Sequence, residues 1–268
     1  LKRLFFDKKD NCMQDKLVSE KRECDELQRC LESDRSEFVI ISGRRRIGKT
    51  YLIDKFFNYK YDFTFVGEHK TSATVQIQNF MRAIYRHSKK RQPKATTWYD
   101  AFNALEDYLE TLPPIVKKVI FIDEMPWMDT QRSNFVSALE NFWNGWGNRR
   151  TDIVLIATGS ATSWMADKIE GNQGGLHARI TCNLHLSPFN LCETEEYLRQ
   201  RNCQWDRYQL LQCYMIFGGV PFYLSLLNPA ESLAQNIDRL FLFEGAQLRG
   251  EFVRTLQRFV RSSGLLCI

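Results

Sequence analysis

Residues 38–53, which read FVIISGRRRIGKTYLI, decide how the chain folds. Four apolar residues lead into Ser42 and Gly43, and an apolar run that suits a helix follows Thr50. Between them lies the pattern Gly-x-x-x-x-Gly-Lys-Thr, the P-loop that joins a buried strand to a helix. Backbone N–H groups of such a loop, together with the start of its helix, form a cradle for phosphate. The stretch therefore predicts a nucleoside triphosphate site, and a chance match in a glycine-containing turn is the alternative.

The positions of this loop have different expected roles. Gly43 and Gly48 let the backbone curl around phosphate because they carry no Cβ. Lys49 brings a positive charge to the β- and γ-phosphates, and Thr50 offers a hydroxyl to Mg²⁺. The remaining positions of the predicted nucleotide-binding loop are Arg44, Arg45, Arg46 and Ile47. We expect the three arginines to raise the local potential for a polyanion.

Two acids follow a second apolar run. Residues 119–122 fit a central parallel strand, and Asp123 and Glu124 come directly after them. Parallel sheets gather ligand-binding groups at the carboxyl ends of their strands, so we expect Asp123 to reach the Mg²⁺ that Thr50 also holds. Glu124 would take a proton from, or orient, the water that attacks the γ-phosphate. The alternative is that the two acids merely cap the strand.

Two further residues are candidates for catalysis. The strand predicted at 152–160 ends in TGS, and this tip should bring a hydroxyl, such as that of Ser160, beside the acids. The hydroxyl could position water or sense the γ-phosphate, and a plain helix cap is the competing interpretation. Arg179 follows the glycine-rich segment 171–175. It predicts either an arginine finger for a neighbouring subunit's nucleotide or a plain surface arginine.

The apolar periodicity alternates strands and helices as far as Pro188 and becomes purely helical from Glu193 onward. Strands are predicted at residues 37–42, 61–66, 119–122, 152–160 and 179–186. Helices are predicted at residues 12–33, 49–57, 72–87, 98–111, 131–146, 193–201, 205–217, 221–227, 232–241 and 247–260. The aromatic stripe of the 131–146 helix keeps helical spacing, which favours core packing over base stacking.

Composition sets the broad class of protein. Hydrophobic residues make up 44% and charged residues 26%, as in globular proteins that bury a core. No apolar run approaches the ~20 residues that cross a bilayer, so we expect no membrane partner. The 8 cysteines contain no Cys-x-x-Cys pair, which predicts reduced thiols in a cytoplasmic protein. The net charge of +5 fits nucleic-acid binding and equally fits a mildly basic cytosolic protein.

Taken together, the motifs resemble the archaeal-type ATPase family, in the AAA+/STAND branch of P-loop ATPases. Besides the P-loop and the acids, the resemblance rests on TGS at 158–160, GGLHAR at 174–179, LSPF at 186–189 and YMIFGGVPFYL at 214–224. It covers about residues 15–258. The family also occurs in bacteria, and we expect a bacterial member.

The resemblance implies an α/β fold, with a P-loop core whose five parallel strands follow the order 5-1-4-3-2 and an all-helical lid after it. It makes residues 43–50 the Walker A loop, Asp123 and Glu124 the Walker B acids, and Ser160 the sensor 1 residue. Arg179 stands where relatives keep an arginine just before the last core strand.

The lid motif of the family is Gly-x-Pro, which Gly219 and Pro221 match, and it packs near the adenine or ribose. Many AAA+ proteins carry an arginine at this lid position, where the chain has Pro221, and this departure favours a switch over a fast motor. The segment Lys21-Arg22-Glu23 corresponds to a Gly-Arg-Glu box but lacks its glycine. The implied division is an N-terminal helical segment (1–36), a nucleotide-binding core (37–188), a lid (189–245) and the start of a C-terminal region of winged-helix type (246–268).

Three functions are compatible with these residues. The leading hypothesis is an ATP-binding protein of AAA+/STAND type that uses slow, Mg²⁺-dependent hydrolysis to drive a conformational switch. The second is a nucleotide-gated, DNA-associated binding protein whose hydrolysis is incidental. The third is a small-molecule P-loop kinase. Besides ATP, the partners to consider are a second copy of the chain, DNA and another protein.

Overall fold

A computed structural model of the chain describes residues 21–91, 93–114, 117–160, 164, 168 and 175–251. The chain divides into two compact units between Ser187 and Pro188. The first unit carries a β-sheet, and every regular element described in the second unit is helical. None of the helices in these ranges has both the length and the apolar character needed to cross a bilayer.

The first unit is built on one five-stranded sheet in which all paired strands run parallel. Its strands are β1 (Glu37–Gly43), β2 (Phe63–Val66), β3 (Lys118–Asp123), β4 (Ile153–Gly159) and β5 (Cys182–Leu186). Their order across the sheet is β2-β3-β4-β1-β5. This is the predicted order 5-1-4-3-2 seen from the opposite edge, so the α/β prediction is confirmed. Strands β1, β3 and β4 are buried along their whole length, as parallel strands covered on both faces must be.

Helices cover both faces of this sheet. They are α1 (Lys21–Glu32), α2 (Lys49–Phe56), α3 (Ala73–Ser88), α4 (Trp98–Glu110) and α5 (Phe135–Gly145). One core contains buried side chains of α3, α4 and α5, and the other contains buried side chains of α1 and α2. Trp143 of α5 is fully buried, which confirms that the aromatic stripe is core material.

Some predicted boundaries are wrong, and the backbone explains two of them. Helix α5 begins at Phe135 and not at residue 131, because Arg132 and Asn134 adopt positive φ angles of 61° and 55° that interrupt a helix. The last strand begins at Cys182 and not at residue 179, because a short 3₁₀ turn, His177–Arg179, precedes it. The first half of the helix predicted at 12–33 lies outside the described residues.

The second unit contains α6 (Leu191–Gln200), α7 (Arg207–Phe217), α8 (Pro221–Ser225) and α9 (Leu233–Ile237). Capping boxes fix the starts of three of these helices, at Asn190, Asp206 and Ser232. A π-helical turn at Asp238–Leu242 replaces the end of the helix predicted at 232–241. Most of the helix predicted at 247–260 falls outside the described residues.

Candidate functional site

The loop between β1 and α2 has the backbone of an anion cradle. Three of its residues have positive φ angles: Gly43 at 146°, Arg46 at 71° and Gly48 at 98°. A Cβ on Gly43 would lie 2.6 Å from the carbonyl oxygen of Leu186, so only glycine fits there. Gly48 is the N-cap of α2, and no side chain caps the helix at this position. The first-turn N–H groups of α2 therefore suit an anionic ligand.

Lys49 is a buried cation inside this loop, with only 5% of its surface exposed. Its Nζ donates to the backbone carbonyls of Gly43, at 3.0 Å, and Arg44, at 3.2 Å. Burial lowers the pKa of Lys49, while the negative charges of Glu124 and Asp123 oppose that shift. A buried ammonium is costly unless an anion compensates it, and a phosphate in the loop would do so.

Asp123, at the end of β3, accepts hydrogen bonds from three other residues of the site. Its Oδ2 accepts a hydrogen bond from Thr50 Oγ1 at 2.8 Å, so the P-loop and the acid strand meet at this carboxylate. Its Oδ1 accepts from the hydroxyl of Thr158 and from the backbone N–H of Glu124, the latter at 3.0 Å. Asp123 is 6% exposed and Thr158 is fully buried. The carboxylate is therefore held by donors on both of its oxygens.

Glu124 has a backbone conformation that its neighbours impose. Its φ is +49°, a left-handed value that costs a residue with a side chain roughly 1–2 kcal/mol. Its N–H also lies 3.1 Å from Thr158 Oγ1, and its carbonyl oxygen accepts from the N–H of Trp127 at 3.1 Å. A Cβ on Gly67, which follows β2, would lie 2.5 Å from the same carbonyl oxygen. The left-handed conformation of Glu124 is a backbone strain of the kind found at functional sites.

The tip of β4 supplies one hydroxyl to each acid. Ser160 Oγ donates to Glu124 Oε2 at 2.9 Å, and the Ser160 N–H lies 3.4 Å from the same oxygen. Thr158 contacts Asp123 instead. The sequence interpretation named Ser160 alone and missed Thr158. A usable signal was present, because Thr158 is the one polar side chain in the fully buried strand β4.

A second missed residue is Gln76 of α3, which is fully buried. Its side-chain amide donates to the carbonyl of Trp127 at 2.7 Å and accepts from the N–H of Glu68 at 3.2 Å. It therefore ties the loop after β2 to the turn after β3. Helical periodicity marks Gln76 as a buried position but says nothing about which backbone groups it contacts.

The other loop residues differ in how they can contribute. Arg44 and Arg45 are exposed, and Arg46 is half-buried. Ile47 is 2% exposed and packs in the core that contains β1 and α2, so only its backbone can face a ligand. The candidate metal ligands Thr50 and Asp123 are hard oxygen donors, which Mg²⁺ prefers. Within the described ranges no three His, Cys, Asp or Glu side chains form a metal-binding cluster, so a Mg²⁺ ion here would also need phosphate oxygens.

Arg179 is not part of this cluster. It ends the 3₁₀ turn before β5, its side chain is exposed, and its N–H donates to the carbonyl of Leu176 at 2.9 Å. No contact described for Arg179 joins it to Asp123 or Glu124. A role in catalysis within one chain has no support from this geometry, and a role toward a neighbouring subunit stays a prediction.

Gly219 and Pro221 belong to the second unit, where the glycine has a clear packing role. Gly219 has a φ of +65°, and a Cβ on it would lie 2.0 Å from the carbonyl oxygen of Phe189. The N–H of Phe189 in turn donates to the carbonyl of Gly219 at 2.9 Å. Pro221 occupies the first turn of α8, where its missing N–H costs nothing. The close approach that requires glycine here is therefore to the backbone of Phe189, and a nucleotide contact stays a prediction.

Comparison with known proteins finds a matching family of ATPase domains and a longer relative. The chain matches, over residues 18–227, a family described as an ATPase domain predominantly from Archaea. It is 27% identical over 212 residues to the uncharacterized protein MJECL04 of Methanocaldococcus jannaschii, a match that covers 77% of the chain and 43% of that relative. The chain thus spans less than half of this longer relative.

Two solved structures have a similar fold. The Walker-type ATPase PABY2304 of Pyrococcus abyssi superposes with a TM-score of 0.63 at 17% identity, covering 94% of this chain and 78% of the other. A STAND protein with a tetratricopeptide repeat sensor, PH0952 of Pyrococcus horikoshii, superposes with a TM-score of 0.51 at 19% identity, covering 84% of this chain and 32% of the other. At these identities the likeness concerns the fold, and the expected bacterial source stays a prediction.

Proposed function

Because the chain belongs to the family of ATPase domains found predominantly in Archaea, we propose that it binds ATP with Mg²⁺ at residues 43–50 and hydrolyses it slowly. The observation that carries this proposal is the 2.8 Å hydrogen bond from Thr50 Oγ1 to Asp123 Oδ2. It joins the hydroxyl and the carboxylate that a Mg²⁺–nucleotide site needs. Thr50 lies at the start of the helix after β1 and Asp123 ends β3, so both lie at the edge where the strands of the parallel sheet end.

The loop residues bind and orient the triphosphate. Lys49 neutralises the β- and γ-phosphates, and its ammonium exchanges the carbonyls of Gly43 and Arg44 for phosphate oxygens. Thr50 and Asp123 would hold Mg²⁺, which supplies charge neutralisation at the phosphates when it is bound. Thr158 keeps the Asp123 carboxylate in one orientation, so it acts as a positioning residue.

Glu124 acts as the general base. Its carboxylate accepts a proton from the water that attacks the γ-phosphate, and the left-handed turn at its backbone presents the side chain for this role. Ser160 donates to Oε2 of Glu124, which leaves Oε1 for the water. Ser160 therefore orients the base, and in this proposal it acts on the γ-phosphate only through Glu124.

The hydrolysis is proposed to drive a switch of AAA+/STAND type. The proposal rests on the Gly-x-Pro motif of the second unit and on the absence of an arginine at that lid position. In this proposal Arg179 acts on the nucleotide of a second copy of the chain. Hydrogen exchange measured with ADP and with a non-hydrolysable ATP analogue tests the switch: equal protection of residues 218–225 in the two states would refute it.

A cytoplasmic location stays a prediction from cysteine usage.

Lys49→Ala is the direct test of the nucleotide site. We expect ATP affinity to fall by a factor of about 100 or more, because the variant loses the buried charge that faces the phosphates. Lys60→Ala is a matched control, since Lys60 is an exposed lysine just beyond α2. Isothermal titration of both variants with Mg²⁺–ATP decides the matter. Unchanged affinity in a folded Lys49→Ala protein would mean that the site is wrong.

A further inference from the structure

One face of α3 and the loop that follows it form a basic surface outside the nucleotide site. We call it the α3 basic surface, and its residues are Arg82, Tyr85, Arg86, Lys89, Lys90, Arg91 and Lys94. All seven are exposed. The opposite face of the same helix, with Phe80 and Ile84, is fully buried in the core, so the chain has a fixed scaffold behind these cations.

The charge of the protein is concentrated here. Residues 81–97 contain six lysines and arginines and no aspartate or glutamate, a local charge of +6 against +5 for the whole chain. Arg82 donates to the amide oxygen of Asn79 at 3.1 Å. Among the described residues no carboxylate pairs with Arg86, Lys89, Arg91 or Lys94. These four cations are therefore available to an anionic ligand.

A purely structural explanation covers only part of this pattern. Cations in the last turn of a helix stabilise its dipole, which accounts for Arg86 and, at the C-cap, Lys89. It does not account for Arg82, one turn before Arg86, or for Arg91 and Lys94, which lie beyond the helix. A solvated basic loop would also have no reason to continue along a helix face.

The helix face has a spacing that suits a chain of phosphates. Arg82, Arg86 and Lys89 lie at positions i, i+4 and i+7, which share one side of a helix. They extend over about 10 Å along the helix axis, so they can face neighbouring phosphates of one strand. Tyr85 lies in the same row and is 54% exposed. An exposed aromatic ring among cations can stack on an unpaired base.

The surface lies at the edge of the sheet away from the nucleotide site. The ring of His87, near the end of α3, contacts the ring of Phe63 at a centroid distance of 5.7 Å, and Phe63 is the first residue of β2. Asp123 and the P-loop lie at the carboxyl ends of the strands instead. A ligand on the α3 basic surface would not compete with ATP.

We propose that the α3 basic surface binds single-stranded nucleic acid, with phosphates on its cations and a base stacked on Tyr85. An acidic protein would satisfy the charge but gives no reason for the exposed ring in the row. The proposal does not depend on ATP hydrolysis, because the surface and the nucleotide site share no residue.

The test is fluorescence anisotropy with a labelled oligothymidylate of about 20 nucleotides, titrated from about 50 to about 200 mM salt. In the triple variant Arg82→Gln/Arg86→Gln/Lys89→Gln we expect the slope of log affinity against log salt to lose about 2, at about 0.7 for each of three phosphate contacts. Its ATP turnover should stay unchanged.

A charge-matched control separates this surface from net charge. Arg22→Gln/Lys60→Gln/Arg207→Gln removes the same charge at exposed positions on other elements. We expect its salt slope to stay close to that of the unmodified protein. Equal slopes in the two triple variants would overturn the proposal.

Tyr85→Ala tests the kind of partner. Loss of a stacked base should weaken single-strand binding by about 5- to 150-fold and leave binding to a duplex of the same length unchanged. Full single-strand affinity in Tyr85→Ala would refute the proposal. Tighter binding of polyglutamate than of the oligonucleotide to the unmodified protein would also refute it and would point to an acidic protein as the partner. Lys49→Ala should bind the oligonucleotide normally, so failure of the ATP site and failure of this surface are separable.

Discussion

Thr158→Val is the substitution that most sharply probes how the acids are held. Valine fills the same space as threonine but removes the hydroxyl that donates to Asp123 Oδ1 and accepts from the N–H of Glu124. Thr158 is fully buried at the end of β4, so water cannot replace the lost donor without opening the sheet. The substitution therefore changes the orientation of the Asp123 carboxylate while the fold is kept.

The contacts that remain set the size of the effect. A hydrogen bond to a charged group contributes about 1.5–3 kcal/mol, which corresponds to about 10- to 150-fold in rate. Asp123 keeps the donors of Glu124, at 3.0 Å, and Thr50, at 2.8 Å. We therefore expect the lower part of that range, about 10- to 50-fold in kcat. The free energy of unfolding should fall by less than about 2 kcal/mol, because the Glu124 N–H keeps Asp123 as its acceptor.

The assay is steady-state phosphate release at increasing Mg²⁺ concentration. Thr158→Val should need more Mg²⁺ for half-maximal turnover, a change that a loss of packing alone would not cause. Thr158→Ser keeps the hydroxyl and loses one methyl group, so it should lose about 1 kcal/mol of stability but keep its Mg²⁺ requirement. If the two variants have the same turnover and the same Mg²⁺ requirement, Thr158 does not position Asp123.

Two further predictions concern stability. Gly219→Ala should destabilise the second unit by more than about 3 kcal/mol, because its Cβ would lie 2.0 Å from the carbonyl oxygen of Phe189. In the control Gly218→Ala the Cβ meets no atom within 4 Å, so it should cost only the roughly 1–2 kcal/mol of its positive φ. Equal thermal unfolding of the two variants would contradict this. Burial raises the pKa of Asp152, but hydrogen bonds from its cationic neighbours, Arg150 among them, outweigh it and lower that pKa to about 2. The folded pKa lies below the ordinary value of about 3.9, so the Asp152 carboxylate stabilises the fold above that pH. Its contribution of about 2–3 kcal/mol to the free energy of unfolding is lost as the pH falls toward 2. Urea unfolding of Asp152→Asn should show a shallower loss of stability over this range, and a pH profile identical to that of the unmodified protein would refute the assignment.

The central features of the fold could be predicted because they follow from periodicity and from rules of parallel sheets. The apolar runs of β1, β3 and β4 predict strands that are buried on both faces, as the structure has them. Once the P-loop fixes the direction of β1, a parallel sheet places Asp123 at the same edge, and there it accepts the 2.8 Å hydrogen bond from Thr50. Both acids were named for this reason.

What could not be predicted depends on side chains that meet only after folding. The sequence TGS presents two hydroxyls. Thr158 reaches Asp123 and Ser160 reaches Glu124 because of the register of β4 against β3 and the left-handed turn at Glu124, which form only on folding. The start of α5 depends on two residues with positive φ. Asparagine adopts such angles readily, but Arg132 is an ordinary helix former and gives no local signal of this conformation.

Gly219 shows a different limit. Its position in a Gly-x-Pro motif suggests a ligand contact, yet the carbonyl oxygen of Phe189 already explains why no larger residue fits. A motif tells which residue is needed at a position, and the structure tells which neighbour makes it necessary.

The central claim is that Glu124, held by Ser160, activates water at a Mg²⁺–ATP site. Single-turnover hydrolysis of γ-labelled ATP by Glu124→Gln, with Mg²⁺ and enzyme in excess, tests it most directly. The account predicts that the variant binds ATP as tightly as the unmodified protein and releases phosphate about 10²- to 10⁴-fold more slowly. Phosphate release at the unmodified rate would contradict it.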